Sequence, residues 1–394
     1  MKVNTDIYLL AAKRTPIASF GSELASLTAT DLASEAIKAT LQSAGVSGRE
    51  VEETFLGNVC AAGVGQAPAR QAALKAGISE KSPATTINKV CASGLKSIIL
   101  ATQTLQLNQR KLVVAGGAES MSNIPYYDRA ARWGVKFGDQ KLIDGLAYDG
   151  LTDATEGVAM GVLAEKVCRE KGITREAQDQ YSIDSYKRAQ KAWEEHSFNN
   201  EVCPISISSR KGAILIDKDE ECFRVNFDKV SQLKPAFDPD GTITAANAST
   251  INDGAAAVLL SNSEGLEAIP SKPIAKIIGY SETALTPAEF TLAPIEATKA
   301  LLKTTGISLE EVDLFEINEA FAMVPLAFAE ALNVELDKIN VNGGAVSLGH
   351  PIGCSGTRIV VTLVHALRAR NMRYGIASIC NGGGGASAIL IEAL

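Results

Sequence analysis

The chain has 394 residues, of which 46% are hydrophobic and 21% are charged, so it has enough apolar material for two or three domains. Its formal net charge of −7 argues against nucleic acid as the main partner, and a basic site for a phosphorylated ligand must be local. No apolar run approaches the ~18 residues of a membrane span, so we expect no membrane partner.

The seven cysteines are scattered, odd in number and free of any C-x-x-C pair. This pattern indicates reduced thiols rather than a disulfide framework or a zinc site. The N-terminal residues show no presequence for secretion or an organelle, and residues 392–394 are not a peroxisomal signal. We therefore expect a cytoplasmic protein.

The first elements along the chain alternate between strands and helices. Residues 7–12 predict a strand, and residues 36–51 predict a helix that is closed by a glycine and followed by a turn. Residues 53–57 predict the next strand. A helix over 94–106 and a strand over 112–117 follow. This order is typical of an α/β domain.

Residues 88–98 place one cysteine, Cys91, at the start of the second of these helices. Because Ala92, Ser93 and Gly94 are small, other backbone and a bulky substrate can approach it. The partial positive charge of the helix N-terminus should lower the pKa of this thiol below its ordinary value of about 8.5. A buried structural cysteine is the alternative, since free cysteines are among the most buried residues.

The second half of the chain repeats the first. Residues 297–312 follow the pattern of 36–51 without a gap, and a predicted strand at 274–279 precedes them as 7–12 precedes the first copy. The doubled order predicts mainly parallel sheets sandwiched by helices. The other elements of the second copy are strands over 314–317 and 375–383 and a helix over 356–368.

Residues 123–248 form an insert between the two copies, with an amphipathic helix predicted over 177–196. An insert on a duplicated core is a natural place for substrate contacts. Two packed copies would bring the helix that follows Cys91 and the helix that follows Gly353 to a shared centre. We expect the active site there.

The segment 341–357 is rich in glycine, which is costly in backbone entropy unless tight turns or close approaches need it. It contains His350, whose backbone the following proline biases away from helix. In a glycine-walled loop this histidine suits a general base or a hydrogen-bond donor, although a core histidine is equally compatible. We expect His196 and His365 to be surface or packing residues.

Two further segments carry candidate chemistry. Cys380 precedes a run of four glycines, which predicts a turn with exposed N–H groups that can hold an oxyanion, rather than a flexible linker. Asn318 and Glu319 follow a predicted strand, where α/β proteins place site residues, although a helix cap is equally plausible. Two thiols, a histidine, an asparagine and free amides would suffice for carbon–carbon bond formation between thioesters.

Together these segments resemble the thiolase family over essentially the whole chain, and within it the acetyl-CoA acetyltransferases. The resemblance implies an α/β fold in which two βαβαβαββ halves form a five-layered αβαβα core, with an added loop domain. The motifs are N-K-V-C-A-S-G at 88–94, G-G-A-E-S-M at 116–121, N-E-A-F at 318–321, G-H-P-I-G at 349–353 and C-N-G-G-G at 380–384. The implied boundaries are 1–122 with 249–272 for the first half, 123–248 for the loop domain and 273–394 for the second half.

The resemblance also implies a role for each candidate residue. Cys91 would accept the acyl group, His350 would take its proton, and Cys380 would abstract the α-proton of a second acetyl-CoA. A water held by Asn318, together with His350, would stabilise the enolate. The backbone amides of Cys91 and Gly382 would stabilise the acyl-enzyme oxygen. The implied reaction is the reversible condensation of two acetyl-CoA to acetoacetyl-CoA and CoA, expected to supply mevalonate and sterol synthesis.

Binding residues are implied in the same way. No cofactor is required, the expected partners are CoA and its two thioesters, and the expected assembly is a homotetramer. Asn226 stands where related enzymes often have an acidic residue. The implied CoA contacts are Tyr186, Arg224, Val225, Asn226, Lys229, Ala248 and Ser249, with Met160 and Phe321 beside the acyl group. Potassium, as an activator, would be held by Tyr186, Ala245, Ala246, Ala248 and Val346.

The main alternative is a broad or long-chain 3-ketoacyl-CoA thiolase of fatty-acid degradation, because the stretch at 244–254 fits both groups. Residues 120–127 favour the short-chain, biosynthetic group. A non-catalytic relative would have lost Cys91, His350 or Cys380. Hydroxymethylglutaryl-CoA synthases and ketoacyl-carrier-protein synthases share the fold, but they use a single catalytic cysteine, and Cys380 argues against them.

Overall fold

The structure is a computed structural model that describes residues 1–2, 5–134, 136–209 and 212–394. The first half begins with a buried strand and alternates helices with short strands. Its elements are β1 (Ile7–Arg14), β2 (Ala18–Ser19), α1 (Ala29–Ala44), β3 (Glu53–Gly57), α2 (Pro68–Lys75), β4 (Ala84–Ile87), α3 (Ser93–Gln106) and β5 (Leu112–Ser120).

The insert that follows is mostly helical, with two small hairpins. Its main helix starts two residues before the predicted position, because the Thr174 side chain accepts the N–H of Ala177 at 3.2 Å and caps it. The elements are β6 (Tyr126–Tyr127), β7 (Ile143–Asp144), α4 (Met160–Lys171), α5 (Arg175–Glu194), β8 (Ile205–Ser209), β9 (Gly212–Ile216) and α6 (Phe227–Val230).

The remainder of the chain adds one strand, β10 (Asn252–Asn262), to the first half and then forms the second half. Its other elements are α7 (Ser263–Glu267), β11 (Ala275–Ala284), α8 (Ala293–Thr305), β12 (Leu314–Ile317), α9 (Met323–Leu332), α10 (Ala345–Leu348), α11 (Ile352–Ala369), β13 (Tyr374–Asn381) and β14 (Gly385–Ala393).

A mixed sheet runs through both halves in the order β12-β13-β14-β11-β1-β10-β5-β3-β4. The halves join where β1 pairs antiparallel with β11, with Leu9 opposite Ala275. β10 follows the insert in sequence but lies between β1 and β5. The first half of the sheet is therefore completed only by residues beyond the insert.

The expectation of mainly parallel sheets is wrong. Among the described strands of this sheet, only β3·β4, β3·β5 and β12·β13 are parallel. The pairs β1·β10, β5·β10, β1·β11, β11·β14 and β13·β14 are antiparallel. The reason is that consecutive strands at the end of each half reverse direction and are not joined by a crossover. For example, β13 and β14 are joined by a tight turn, which connects antiparallel strands only.

The helices complete five layers in the order αβαβα. α3 and α11 lie between the two halves of the sheet and share one apolar cluster with both. α1 and α2 cover the outer face of the first half, and α8 and α9 cover that of the second. Within the described parts of the chain, no helix is both long enough and apolar enough to span a bilayer.

The repeat in the sequence corresponds to a repeat in structure. α1 ends at Gly45 with φ +65°, and α8 ends at Gly306 with φ +77°. Glycine adopts this left-handed conformation without the steric penalty of a side chain, so both helices stop at the same point of the repeat. β3 and β12 then follow in equivalent positions.

The other pair of equivalent helices, α3 and α11, meets at its N-terminal ends. A Cβ added to Gly94 would lie 2.7 Å from the backbone N of Thr357, and one added to Gly117 would lie 2.1 Å from the carbonyl O of Gly353. No side chain fits in either place, so the glycines permit the close approach. The two helix N-termini thus converge near the centre of the molecule.

Candidate active site

A cavity of about 520 Å³ opens beside these converging helices. Three of the predicted catalytic residues, Cys91, His350 and Gly382, line it. Its remaining wall comes mainly from residues 148–155 of the insert and from the side chains of Met160, Ser249, Phe290, Phe321 and Ile352. The sequence analysis did not single out residues 148–155.

Cys91 follows a strained turn between β4 and α3. Val90 has φ +47°, a left-handed conformation that a β-branched residue rarely adopts. The Oδ1 of Asn88 accepts the N–H of Val90 at 3.0 Å, and the Oγ of Ser93 donates to its carbonyl at 2.6 Å. Strain of this kind persists where the surroundings over-determine it, which is common at active sites.

The expected acidification of Cys91 is wrong. Burial, and to a smaller extent Glu119, raise the pKa of its thiol to about 11, against the N–H groups of Gly382 and Cys91 itself, which lower it. The surrounding protein therefore outweighs the helix N-terminus, which sequence alone could not show. The thiol needs a base to become a nucleophile.

His350 lies buried in the loop between α10 and α11, with its ring fixed in one orientation. Its Nδ1 lies 2.6 Å from the Oγ of Ser355, and its backbone N–H donates to the Oδ1 of Asn252 at 2.9 Å. Because the Ser355 hydroxyl donates to the carbonyl of Pro351 at 3.0 Å, its oxygen acts as acceptor and the proton of the ring is on Nδ1. The lone pair of Nε2 is then free to accept a proton, so Nε2 can act as the base.

The environment of His350 keeps this base uncharged. Burial, followed by the positive charge of Arg358, lowers the pKa of His350 to about 3. Its Nε2 is buried and has no hydrogen-bond partner among the described residues. At neutral pH the ring can therefore accept a proton from a neighbouring group.

Cys380 is the penultimate residue of β13 and is almost fully buried, with 1% of its surface exposed. Burial, followed by the neighbouring Cys91, raises the pKa of its thiol well above the ordinary range. The turn after it contains Gly383 and Gly384 with φ +86° and +89°, and a Cβ on Gly384 would lie 2.4 Å from the carbonyl O of Leu285. These glycines place the N–H of Gly382 beside Cys91.

Asn318 follows β12 and is fully buried. Its backbone N–H donates to the carbonyl of Ser378 at 3.0 Å, which ties it to β13, the strand that contains Cys380. Both polar atoms of its side chain lack partners in the described part of the chain. Buried amides are nearly always hydrogen-bonded, so a water or a substrate atom is the expected partner.

Phe321 forms an aromatic wall of the cavity. Its ring centroid lies 6.0 Å from that of Phe237 and 6.4 Å from that of Phe290, both edge-on. The thioether of Met160 lies on another side, 3.8 Å from where a Cβ of Gly382 would be. Met160 and Phe321, predicted beside the acyl group, therefore line the same cavity as Cys91, and Phe290 joins them without having been predicted.

Two of the residues predicted to contact CoA also lie along this wall. Ser249 lines the cavity, and its Oγ donates to the carbonyl of Ala320 at 2.9 Å. Ala248 forms a short β-bridge with Phe321. Ala248 and Ser249 therefore lie next to Phe321 and Ala320 at the edge of the acyl pocket.

The other predicted CoA contacts are on the insert and are not among the described residues that line the cavity. The guanidinium of Arg224 pairs with Glu220 at 3.0 Å. The Asn226 side chain accepts the N–H of Asp228 at 3.1 Å and caps α6. The structure thus does not bring this group, consisting of Tyr186, Arg224, Val225, Asn226 and Lys229, to the catalytic residues.

The residues predicted to hold potassium are only partly assembled. Tyr186 and Val346 share one apolar cluster, whereas Ala248 belongs to another. Ala246 is buried and Ala245 is exposed. Burial, and then the carboxylates of Glu221 and Glu319, raise the pKa of Tyr186, so negative charge surrounds its hydroxyl. A hydroxyl and backbone carbonyls are oxygen donors that suit a monovalent cation.

Glu119 is a buried residue whose role sequence reasoning missed. Its carboxylate accepts the side-chain N–H of Asn58 at 2.9 Å and the backbone N–H groups of Val59, Cys60 and Gly353 at 3.0, 3.1 and 2.9 Å. It therefore joins the loop after β3 to the start of α11. Glu119 belongs to the motif at 116–121, which contributed to the family resemblance. The sequence analysis assigned no role to its side chain.

Comparisons with known proteins agree with this geometry. The model of the thiolase N-terminal domain matches residues 7–264, and that of the thiolase C-terminal domain matches residues 271–393. The chain belongs to the thiolase family. The sequence-based predictions of this family and of an acyltransferase enzyme are confirmed.

Curated relatives match over nearly the whole chain. The chain is 49% identical to the probable acetyl-CoA acetyltransferase of Dictyostelium discoideum, over 98% of this chain and 94% of that protein. It is 49% identical to the cytosolic acetyl-CoA acetyltransferase of Gibberella zeae, over 98% of each. It is 48% identical to the mitochondrial acetyl-CoA acetyltransferase of Rattus norvegicus, over 99% of this chain and 91% of that protein.

Solved structures share the fold. The Acat5 thiolase from Ascaris suum in complex with coenzyme A matches with a TM-score of 0.94 and 48% identity, over 99% of this thiolase and 100% of that chain. Human mitochondrial 3-ketoacyl-CoA thiolase matches with a TM-score of 0.96 and 38% identity, over 100% of both chains. The predicted thiolase fold is therefore confirmed.

Proposed function

We propose that this thiolase catalyses the reversible condensation of two acetyl-CoA to acetoacetyl-CoA and CoA through an acyl group on Cys91. The observation that carries the proposal is the meeting of Cys91, the unpartnered Nε2 of His350 and the N–H of Gly382 at one cavity, with the thiol of Cys380 beside Cys91. One thiol can store an acyl group while the other exchanges a proton.

The first half-reaction transfers the acetyl group to Cys91. His350 takes the proton of Cys91, and the thiolate attacks the carbonyl of acetyl-CoA to form an S–C bond. The backbone N–H groups of Cys91 and Gly382 stabilise the oxyanion. The C–S bond to CoA breaks, and the leaving CoA thiolate takes the proton of Cys380. Cys380 is then a thiolate and His350 an imidazolium.

The second half-reaction forms the carbon–carbon bond. The Cys380 thiolate takes an α-proton from a second acetyl-CoA, while the imidazolium and a water on Asn318 stabilise the enolate oxygen. The carbanion attacks the acetyl carbon on Cys91. The Cys91 thiolate leaves and recovers its proton from His350, so every group returns to its starting state. No cofactor beyond the thioesters takes part.

Acetyl-CoA is proposed as the substrate rather than a long-chain thioester. Curated relatives named acetyl-CoA acetyltransferases are 46–49% identical to this chain, while the solved acetyl-CoA acetyltransferase from Bacillus anthracis and the human 3-ketoacyl-CoA thiolase are both 38% identical. Phe290 and Phe321 narrow the cavity with aromatic rings packed edge-on, and Phe237 backs Phe321, which also supports a short acyl group. Thiolysis of acetoacetyl-CoA and of 3-ketohexadecanoyl-CoA should be compared. Faster turnover of the long substrate would contradict the proposal.

CoA is proposed to extend from the cavity toward the insert. Arg224 and Lys229 supply positive charge there in a chain that is acidic overall, and the pyrophosphate and ribose phosphate of CoA require such charge. Substitution of either by Gln should raise the KM for CoA severalfold and leave kcat unchanged. A change in kcat alone would contradict this placement. Tyr186, Val225, Asn226, Ala248 and Ser249 are proposed to complete the CoA contacts.

Potassium is proposed as an activator that binds near Tyr186. The carboxylates beside its hydroxyl and the carbonyl groups of Ala245, Ala246, Ala248 and Val346 support a monovalent cation. Rates should be higher in potassium than in sodium at equal ionic strength. Equal rates would end this proposal.

A homotetramer is proposed as the assembly. The described residues 126–134 and 136–142, which we call the aromatic segment, include Trp133, exposed by 85%, Phe137, exposed by 100%, and Leu142, exposed by 60%. Exposed aromatic side chains of this size are typical of protein interfaces. The mass in solution, measured by light scattering, tests it.

A cytoplasmic location and a supply role for mevalonate and sterol synthesis are proposed as well. The cytosolic relative from Gibberella zeae supports the location, while the rat relative is mitochondrial. Microscopy of the tagged native protein decides between the two compartments, and sterol auxotrophy after gene deletion tests the pathway.

A further inference from the structure

A buried pair of charged side chains lies behind the catalytic residues. The Nη1 of Arg358 donates to the Oε2 of Glu316 at 3.1 Å, and each residue is only 1% exposed. Neither residue lines the cavity among the described positions. Any effect of the pair on the reaction is therefore exerted through neighbouring residues.

The pair connects the two elements that carry the unpartnered polar atoms of the site. Arg358 lies one turn after Ser355 on α11, and Ser355 holds the Nδ1 of His350. Glu316 lies on β12, two residues before Asn318. A change in the link between Arg358 and Glu316 would change the distance between the base and the amide.

Stability does not account for this pair. Burial of charged groups usually costs as much as their attraction returns, and apolar replacements of equal size are often neutral or stabilising. In addition, the Nε and Nη2 of Arg358 are buried without a partner in the described part of the chain. Such a costly arrangement calls for a role beyond packing.

We propose that Glu316 and Arg358 are positioning residues of the thiolase site, because their link fixes His350 relative to Asn318. This inference rests on the proposed function. Neither residue touches the reacting atoms, so both act through His350 and Asn318.

The test compares the wild type with R358K, which keeps the charge, and with the double variant E316L/R358M, which replaces the pair by apolar side chains and avoids a lone buried charge. R373M is the control, because Arg373 pairs with Glu392 at 2.7 Å on the surface, away from His350. The pH dependence of kcat and KM for acetoacetyl-CoA thiolysis is measured for each.

We expect kcat of the double variant to fall about tenfold across the pH range with KM unchanged, because the base and the amide lose their relative position while the lining of the cavity is kept. R358K can still donate to Glu316 and should keep more of the wild-type kcat, and R373M should match the wild type throughout. A double variant with the wild-type kcat would overturn the inference.

A second readout does not depend on turnover. The chain has three histidines, so ¹³C-labelled histidine gives three resonances, and H350Q assigns the one from His350. We expect the His350 resonance to shift in the double variant, because the ring changes its position, and to stay at its wild-type position in R373M. An unchanged His350 resonance in the double variant would refute the positioning of His350. Wild-type protein without thiolase activity would refute the proposed function instead.

Discussion

The Nδ1 of His350 lies 2.6 Å from the Oγ of Ser355, and this contact decides which nitrogen of the ring is basic. Since the hydroxyl is already a donor to Pro351, the ring proton is on Nδ1 and Nε2 faces the substrate side. A single serine on α11 thus determines the tautomer of the proposed base.

Loss of this hydroxyl should weaken catalysis more than folding. S355A is expected to lower kcat about 10- to 100-fold, because the ring loses its preferred tautomer and orientation. KM for acetoacetyl-CoA should stay unchanged. The matched control is S97A, since Ser97 is an equally buried helical serine whose Oγ donates to Gly94 and Gly116 at 2.7 Å. Both variants should lose about 1 kcal/mol of unfolding free energy. Equal kcat in the two variants would contradict the role of Ser355.

The reactivity of Cys91 in the free enzyme should follow its raised pKa. Below a pKa of about 11 the thiolate fraction rises about tenfold for each pH unit, and at pH 8 only about one thiol in a thousand is ionised. Alkylation by iodoacetamide, followed on the Cys91 peptide by mass spectrometry, should therefore accelerate steadily from pH 7 to pH 10. A plateau reached by pH 8 would mean that the helix N-terminus acidifies the thiol after all.

The aromatic segment should hold the assembly together. W133S/F137S removes two exposed aromatic side chains, and the mass in solution should fall below that of the wild type. L107S is the control, because Leu107 is 69% exposed but lies at the end of α3, outside the segment. An unchanged mass for the double variant would assign the interface to another surface.

Much of the fold was predictable from local patterns. The repeat of residues 36–51 at 297–312 located two equivalent helices and the glycines that end them, because a left-handed C-cap is a local property of the chain. The antiparallel pairs at the centre of the sheet were not predictable in this way. Their partners lie far apart in sequence, as β1 and β10 show, and strand pairing is decided by tertiary packing.

The candidate site was likewise predictable only in part from the sequence. Motifs brought Cys91, His350 and Gly382 to attention, and the structure places all three at one cavity. The pKa of Cys91 was mispredicted, since burial is a property of the whole fold and not of the helix that begins beside it. The role of Ser355 was hidden because its partner atom depends on how the loop before α11 folds back.

The most direct test of the account is acetyl transfer from radiolabelled acetyl-CoA, with peptide mapping of the wild type and C380S. C354S serves as the control, because Cys354 is fully buried in the apolar core and has no part in the proposed reaction. The account predicts label on the Cys91 peptide in all three proteins, with formation of acetoacetyl-CoA lost only in C380S. Absence of label from Cys91 in the wild type would contradict the acyl-cysteine mechanism.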